Sequence, residues 1–198
     1  MHLAIWTGCH TFCSYVTHSM SRAYIDHNFD YIEKILNEID LKRGLNPDEH
    51  ELKKADYLQK WGDAAHEAGL YSESQTALEQ SLSIRKELLP KDHPDVGTSL
   101  NNLALLYKSQ GKYEEAEPLY QRCLEIREKS LGKDHPSVAT TLNNLAALYK
   151  SQSKYDEAEL LYQRCLGIYE KALGKDHPSY KTVMEDYSQM LSHKNKPK

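Results

Sequence analysis

The sequence predicts an all-α fold, a right-handed α-α superhelix of antiparallel helix pairs. Three observations predict it: a 42-residue internal repeat, an apolar stripe at helical spacing in each half of the repeat, and Gly or Pro at the joints. The segments His93–Asp134 and His135–Asp176 are identical at 32 of 42 positions. In the first half of the unit Val96, Leu100, Leu103, Ala104 and Tyr107 share one helical face, and in the second half Tyr113, Ala116, Tyr120, Cys123, Leu124 and Leu131 do the same. Gln110, Gly111 and Lys112 make the turn between them.

The elements follow in chain order. Residues 1–20 (MHLAIWTGCHTFCSYVTHSM) differ in character from the rest and read as a poorly ordered N-terminal extension. Their apolar run is broken by His and Thr and has no basic stretch before it, which argues against a secretory signal; Met20 is an alternative start. Residues 21–50 read as an N-terminal helical cap or degenerate repeat, with Phe29 at the register position of Tyr71 and Leu36 at that of Leu78. Residues 51–92 form a divergent first repeat: Leu58, Gly69, Tyr71 and Leu82 match Leu100, Gly111, Tyr113 and Leu124 one period on. Residues 93–134 and 135–176 are the second and third repeats. Gly132 is expected to end its helix as a left-handed cap, after which Asp134 or His135 caps the next, with Pro136 in its first turn. Residues 177–193 open like a further copy but stop after one helix, a C-terminal capping helix; 194–198 are a tail.

The run Leu100-x-x-Leu103-Ala104-x-x-Tyr107, followed by Ala116, Tyr120 and Cys123, resembles the tetratricopeptide repeat signature. The 42-residue period with LNNLA and LGKDHP is similar to the longer repeat of kinesin light chains, and the resemblance covers about residues 51–193. It implies a solenoid that binds a partner protein or extended peptide and performs no catalysis. A motor-linked cargo adaptor is an alternative, but the chain departs from kinesin light chains in lacking their long N-terminal heptad coil and in carrying about three units rather than six. A fragment of a larger repeat sensor that self-associates through its repeat ends is a third reading. The family's clamp for chaperone C-terminal carboxylates needs Lys and Asn where this chain has Gln59 and Asp63, so that variety is not expected.

Stacked hairpins leave a concave wall lined by first helices. With Leu100, Leu103 and Tyr107 committed to packing, Thr98, Asn101, Leu105 and Lys108 project from it, and Thr140, Asn143, Ala147 and Lys150 do so one unit on. The first unit offers Asp56, Gln59, Asp63 and His66; the last helix offers Thr182, Glu185, Gln189 and Ser192, with Glu185, Asp186, Ser188 and Ser192 making its outer face polar. Asparagine amides spaced by one unit suit an extended peptide backbone, and paired lysines favour acidic side chains in it. The resemblance implies the same, since asparagines at the Asn101 and Asn143 positions line the family's groove. The alternative is that Asn101 and Lys108 are solvated polar residues of a copied consensus. Asn102 and Asn144, on the helix flank, are expected to hydrogen-bond within the structure.

Other chemistry finds little to stand on. A net charge of -4 with 25 basic and 29 acidic residues gives no footprint for nucleic acid. No apolar run approaches a membrane span. His93, His135 and His177 recur with the period, too far apart to share a metal, and His50-Glu51 and His66-Glu67 lack the second histidine of a zinc motif. Cys9, His10, Cys13 and His18 hold four ligand types but no second knuckle, while Cys123 and Cys165 sit at small-residue packing positions. No phosphate loop, nucleophile elbow or carboxylate pair is present, so no cofactor and no enzymatic role are expected. Reduced thiols and a cytoplasmic address are the default.

Overall fold

The computed structural model describes residues 46–195, and within them seven helices and no strand. They are α1 (Pro47–Glu67), α2 (Tyr71–Leu88), α3 (Pro94–Ser109), α4 (Tyr113–Leu131), α5 (Pro136–Ser151), α6 (Tyr155–Leu173) and α7 (Pro178–Lys194). The extension 1–20 with Cys9, His10, Cys13 and His18, the register positions Phe29 and Leu36, and the last three residues lie outside the described part. The chain divides into two compact units, one ending at Leu89 and one beginning at Pro90.

In the first unit α1 and α2 form one hairpin. α1 begins at Pro47, ahead of residue 51, because the Asn46 side chain accepts the Glu49 N–H at 2.8 Å and Pro47 fits the first turn. Gly62 lies against α2 so closely that a Cβ there would sit 2.6 Å from the Leu78 side chain. The Ser74 and Ser81 hydroxyls each donate to a carbonyl of α1, of Gly62 and Ala55, at 2.7 Å. Arg85, buried, holds Asp56 at 2.6 Å and Gln59 at 3.2 Å. Ser74 and Ser81 stand where the later copies have Ala116 and Cys123, while Arg85 keeps the arginine of Arg127 and finds Asp56 and Gln59 in place of Thr98 and Asn101.

In the second unit α3 pairs with α4 and α5 with α6, α5 packs on α4, and α7 packs on α6. The apolar positions read from the sequence form the core: Val96, Leu100, Ala104, Ala116, Tyr120 and Cys123, with Val138, Leu142, Ala146, Ala158, Tyr162 and Cys165 one period on. Leu106, Leu148, Ile126 and Ile168 join them, because a helix between two neighbours is covered over a wider arc than one stripe. Leu131, expected on the packed face, is instead 39% exposed at the end of its helix.

Histidine is the N-cap of α3, α5 and α7. Nδ1 of His93, His135 and His177 accepts the N–H of Asp95, Ser137 and Ser179 at 3.2, 3.1 and 3.2 Å. This resolves the choice between Asp134 and His135 in favour of the histidine. Gly132 has the positive φ expected of it, 89°, but its ψ of 155° is extended rather than left-handed helical. That combination is nearly restricted to glycine, and Gly174 repeats it at 83° and 161°. The hairpin turns share a second rule. Gly69 and Gly111 take φ of 76° and 74°, and Ser153, one period on, is forced to 60°.

Urea unfolding tests both features. A left-handed conformation costs an L residue about 1 kcal/mol, and a Cβ at Gly111 meets nothing within 4 Å, so the strain at Ser153 is in the backbone. Ser153→Gly should therefore stabilise the protein by about 0.5 kcal/mol after the greater unfolded-state freedom of glycine. His135→Ala should cost about 1 kcal/mol, whereas His135→Asn, which keeps an acceptor, should recover most of it.

Candidate functional site

The second unit contains a cleft of about 420 Å³ walled by Lys108, Ala147, Lys150, Ser151, Tyr155, Tyr162, Asp186 and His193. Three consecutive first helices contribute: Lys108 from α3, Ala147 and Lys150 from α5, Asp186 and His193 from α7. Lys108 and Lys150 arrive side by side because each lies in the last turn of a helix with the same kind of cap, one period apart, whereas Asp186 comes from the middle of α7 and His193 from its last turn. α6 supplies Tyr155 and Tyr162 as the side of the cleft.

Of the eight residues placed on the wall from the sequence, Lys108, Ala147 and Lys150 are brought together here. Thr98 and Thr140 lie at the other end of their helices, where their hydroxyls bond the Pro94 and Pro136 carbonyls, and Thr140 also meets the Tyr169 hydroxyl at 2.9 Å. Leu105 is half-buried. Asn101 departs from the expectation of an open amide. It is only 8% exposed, accepts from Asn144 at 3.0 Å and donates to Asn102 at 3.1 Å. The neighbouring hairpin closes over it, so Asn101, Asn102 and Asn144 form an amide chain between repeats. Asn143 is half-buried, and its Oδ1 is buried without a hydrogen-bond partner among the described residues.

The terminal helix differs more. Gln189 does reach the wall, accepting from Lys150 at 3.4 Å. Asp186, expected on the outer face, is half-buried and lines the cleft, as does His193, whose Nδ1 bonds the Gln189 carbonyl at 2.7 Å. The rotation that seats Tyr180, Val183 and Met190 against α6 carries Asp186 inward. In the first unit, Asp56 and Gln59 are held by Arg85, so the acidic residues expected on that wall are partly neutralised from within.

Electrostatics single out Lys108. Burial pushes its amine below the ordinary lysine value; Asp186 partly opposes this and Lys150 adds to it. Burial, with Asp186 and Cys165 reinforcing it, raises the Tyr162 hydroxyl, so it stays a neutral donor. Cys165, behind it, is pushed up to about 12 by burial and donates to the Ala139 carbonyl at 3.1 Å, a packing thiol rather than a reactive one. The cleft thus offers two ammonium donors in a partly dewatered space, suited to holding an anionic oxygen.

The depressed value at Lys108 makes stability depend on pH. Well below it, both folded and unfolded states carry the proton, and the folded state bears the full cost of the buried charge. As pH rises toward 10.5 the folded amine releases its proton first, and that cost disappears. Lys108 should titrate below 10.5 by NMR of its ε carbon, and between that midpoint and 10.5 its contribution to stability should rise with pH, absent from Lys108→Met.

Comparison with known proteins agrees with this architecture. The tetratricopeptide repeat family model matches residues 55–129 and 102–171. No curated protein matches the sequence. Among solved structures, BtubC (BKLC) from P. vanneervenii is similar with a TM-score of 0.70 and 22% identity over 84% of this chain, which spans 66% of that one. A point variant of nearly identical TPR-like repeats from a Podosopora anserina kinesin light chain candidate gives 0.68 and 22%, covering 97% of this chain and 87% of that one. The N-terminal domain of stress-induced protein-1 (STI-1) from C. elegans gives 0.53 and 13%, covering 74% and 99%. At these identities the structural likeness concerns the fold alone. Among the described residues no helix is long and apolar enough to cross a membrane. With more than half of the sequence matched by the family model, the chain belongs to the tetratricopeptide repeat family of protein-interaction scaffolds.

Proposed function

We propose that this protein holds an extended, acidic peptide segment of a partner protein on the first-helix wall of its second unit. The observation that carries the reading is the convergence of Lys108 and Lys150, one period apart, on a single cleft that Ala147 also lines. Two ammonium groups from successive repeats match the spacing of a chain laid across the repeats, and their charge selects acidic side chains. Ala147 leaves room for the peptide backbone. Thr140 is exposed and Asn143 is half-buried on the same helix, and they extend the wall toward its other end. Thr98, Asn101 and Leu105 complete it on α3, with Asn101 acting through the amide chain that fixes the repeats rather than through an open side chain. Free, buried Cys123 and Cys165 are in keeping with a reducing, cytoplasmic setting.

Self-association through the last helix is the weaker reading. The outward residues of α7 include Lys181, Thr182, Glu185, Ser188 and Ser192, all exposed and polar, which suits a solvated end. A motor-linked role would show itself as co-purification with a kinesin heavy chain.

The test is fluorescence anisotropy with a labelled peptide of about nine residues carrying one central glutamate among small residues. Lys108→Glu with Lys150→Glu should weaken binding about tenfold or more, and the wild-type affinity should fall as salt is raised. Equal affinity for both proteins would remove the groove assignment.

A further inference from the structure

We propose that Asp186 sets the charge selectivity of the cleft, making it a receptor for one aspartate or glutamate side chain of the partner and closing it to dianions such as a phosphorylated serine. The inference rests on the groove reading above and deepens it. It starts from the register. Asn102 and Asn144 occupy equivalent positions of α3 and α5, and the third member of that series, on α7, is Asp186. An amide has thus been replaced by a carboxylate at the one copy that lines the cleft.

The helix that carries that carboxylate is fixed in place. α7 is capped by His177 at one end, and Lys194 at the other reaches Asp156 and Glu159 on α6 at 2.6 and 2.7 Å. Tyr187, beside Asp186 in sequence, donates to Glu159 at 3.0 Å. Half-buried on a helix pinned at both ends, Asp186 stays part of the cleft wall. Nor does it occupy the lysine donors, since no ion pair within 4.0 Å joins it to Lys108 or Lys150 among the described residues. It acts on Lys108 through space, partly opposing the effect of burial on that amine.

Charge then decides which ligand is accepted. Two ammonium groups and one carboxylate leave a single positive charge. One partner carboxylate brings the site to neutrality, with the Lys108 and Lys150 amines available around it. A dianion would leave an unbalanced negative charge beside Asp186, in a space where water screens it less than in bulk. Size does not discriminate, because a cleft of about 420 Å³ admits either group with a short piece of backbone.

The experiment uses the full chain and three peptides of one sequence whose central residue is glutamate, glutamine or phosphoserine. The wild type should bind the glutamate peptide more tightly than both others. Asp186→Asn, which restores the residue of the other two repeats and should fold normally by circular dichroism, should shift the preference toward phosphoserine by about tenfold. A glutamate-to-phosphoserine ratio unchanged by Asp186→Asn would overturn this inference while leaving the groove standing, provided Lys108→Glu with Lys150→Glu still abolishes binding of the glutamate peptide. Failure of the wild type to bind that peptide at all would sink the groove and the inference together.

Discussion

The fold depends on one close approach, repeated in every hairpin, between a small residue of the first helix and a small residue of the second. In the first unit it is Gly62 against Ser74, whose hydroxyl touches the Gly62 carbonyl at 2.7 Å. In the second unit Ala104 and Ala116 hold the equivalent positions, then Ala146 and Ala158, all four fully buried. The gap beyond each small pair is filled by a long side chain of the second helix, Leu78, Tyr120 or Tyr162, none more than 1% exposed. A tyrosine in that place brings a cost: the hydroxyls of Tyr120 and Tyr162 are buried with no partner among the described residues. Their ring area, fully withdrawn from water, outweighs it.

Packing alone sets the distance between hairpins more strictly than their rotation, and polar contacts supply the rotation. Glu117 on α4 receives the Tyr149 hydroxyl at 2.8 Å and lies 3.8 Å from the Lys154 amine. Glu159 on α6 receives Tyr187 and Lys194 in the same manner, and these hold its carboxyl below the usual range, Lys194 foremost. Exposed pairs of this kind contribute little stability. They do constrain how the first helices they touch turn about their axes, and so which residues reach the cleft. The Asn144–Asn101 bond does the same work from α3 to α5.

What is legible in the sequence depends on where copies exist to compare. The period, the turns at Gly69 and Gly111, the histidine joints and the apolar stripe can be read because two near-identical units carry them. Lys108, Ala147 and Lys150 emerge by elimination once the stripe is assigned. Asn101 escapes such a reading because a polar consensus residue looks the same whether it faces solvent or another amide; its burial comes from a neighbour that helical periodicity does not include. Asp186 escapes it for a related reason. α7 is followed by no helix among the described residues, so its apolar positions give a looser register, and a carboxylate at its edge looks like solubilising charge. Two facts argue for the cleft instead: it replaces an asparagine with a structural role in an earlier copy, and it lies one helix from Lys150.

Departures from repetition are thus the informative positions in such a chain, and their place in the fold decides their meaning. Pro118 against Leu160 is a difference on an exposed face, tolerated because neither side chain is packed. Ser153 against Gly111 is a difference in a turn, which strains one backbone residue and touches nothing else. Arg127 against Tyr169 changes partners at the hairpin edge: the arginine reaches Ser137 and Thr141 in the following helix, while the tyrosine bonds Thr140 of its own hairpin. Asp186 against Asn144 is the difference that alters charge where a ligand would contact the protein. A repeat array can vary a wall residue in one copy without disturbing the packing of the others, since each hairpin contacts chiefly its neighbours. On the proposed groove reading, selectivity therefore belongs on the first-helix wall, at the copy where the series of amides is broken.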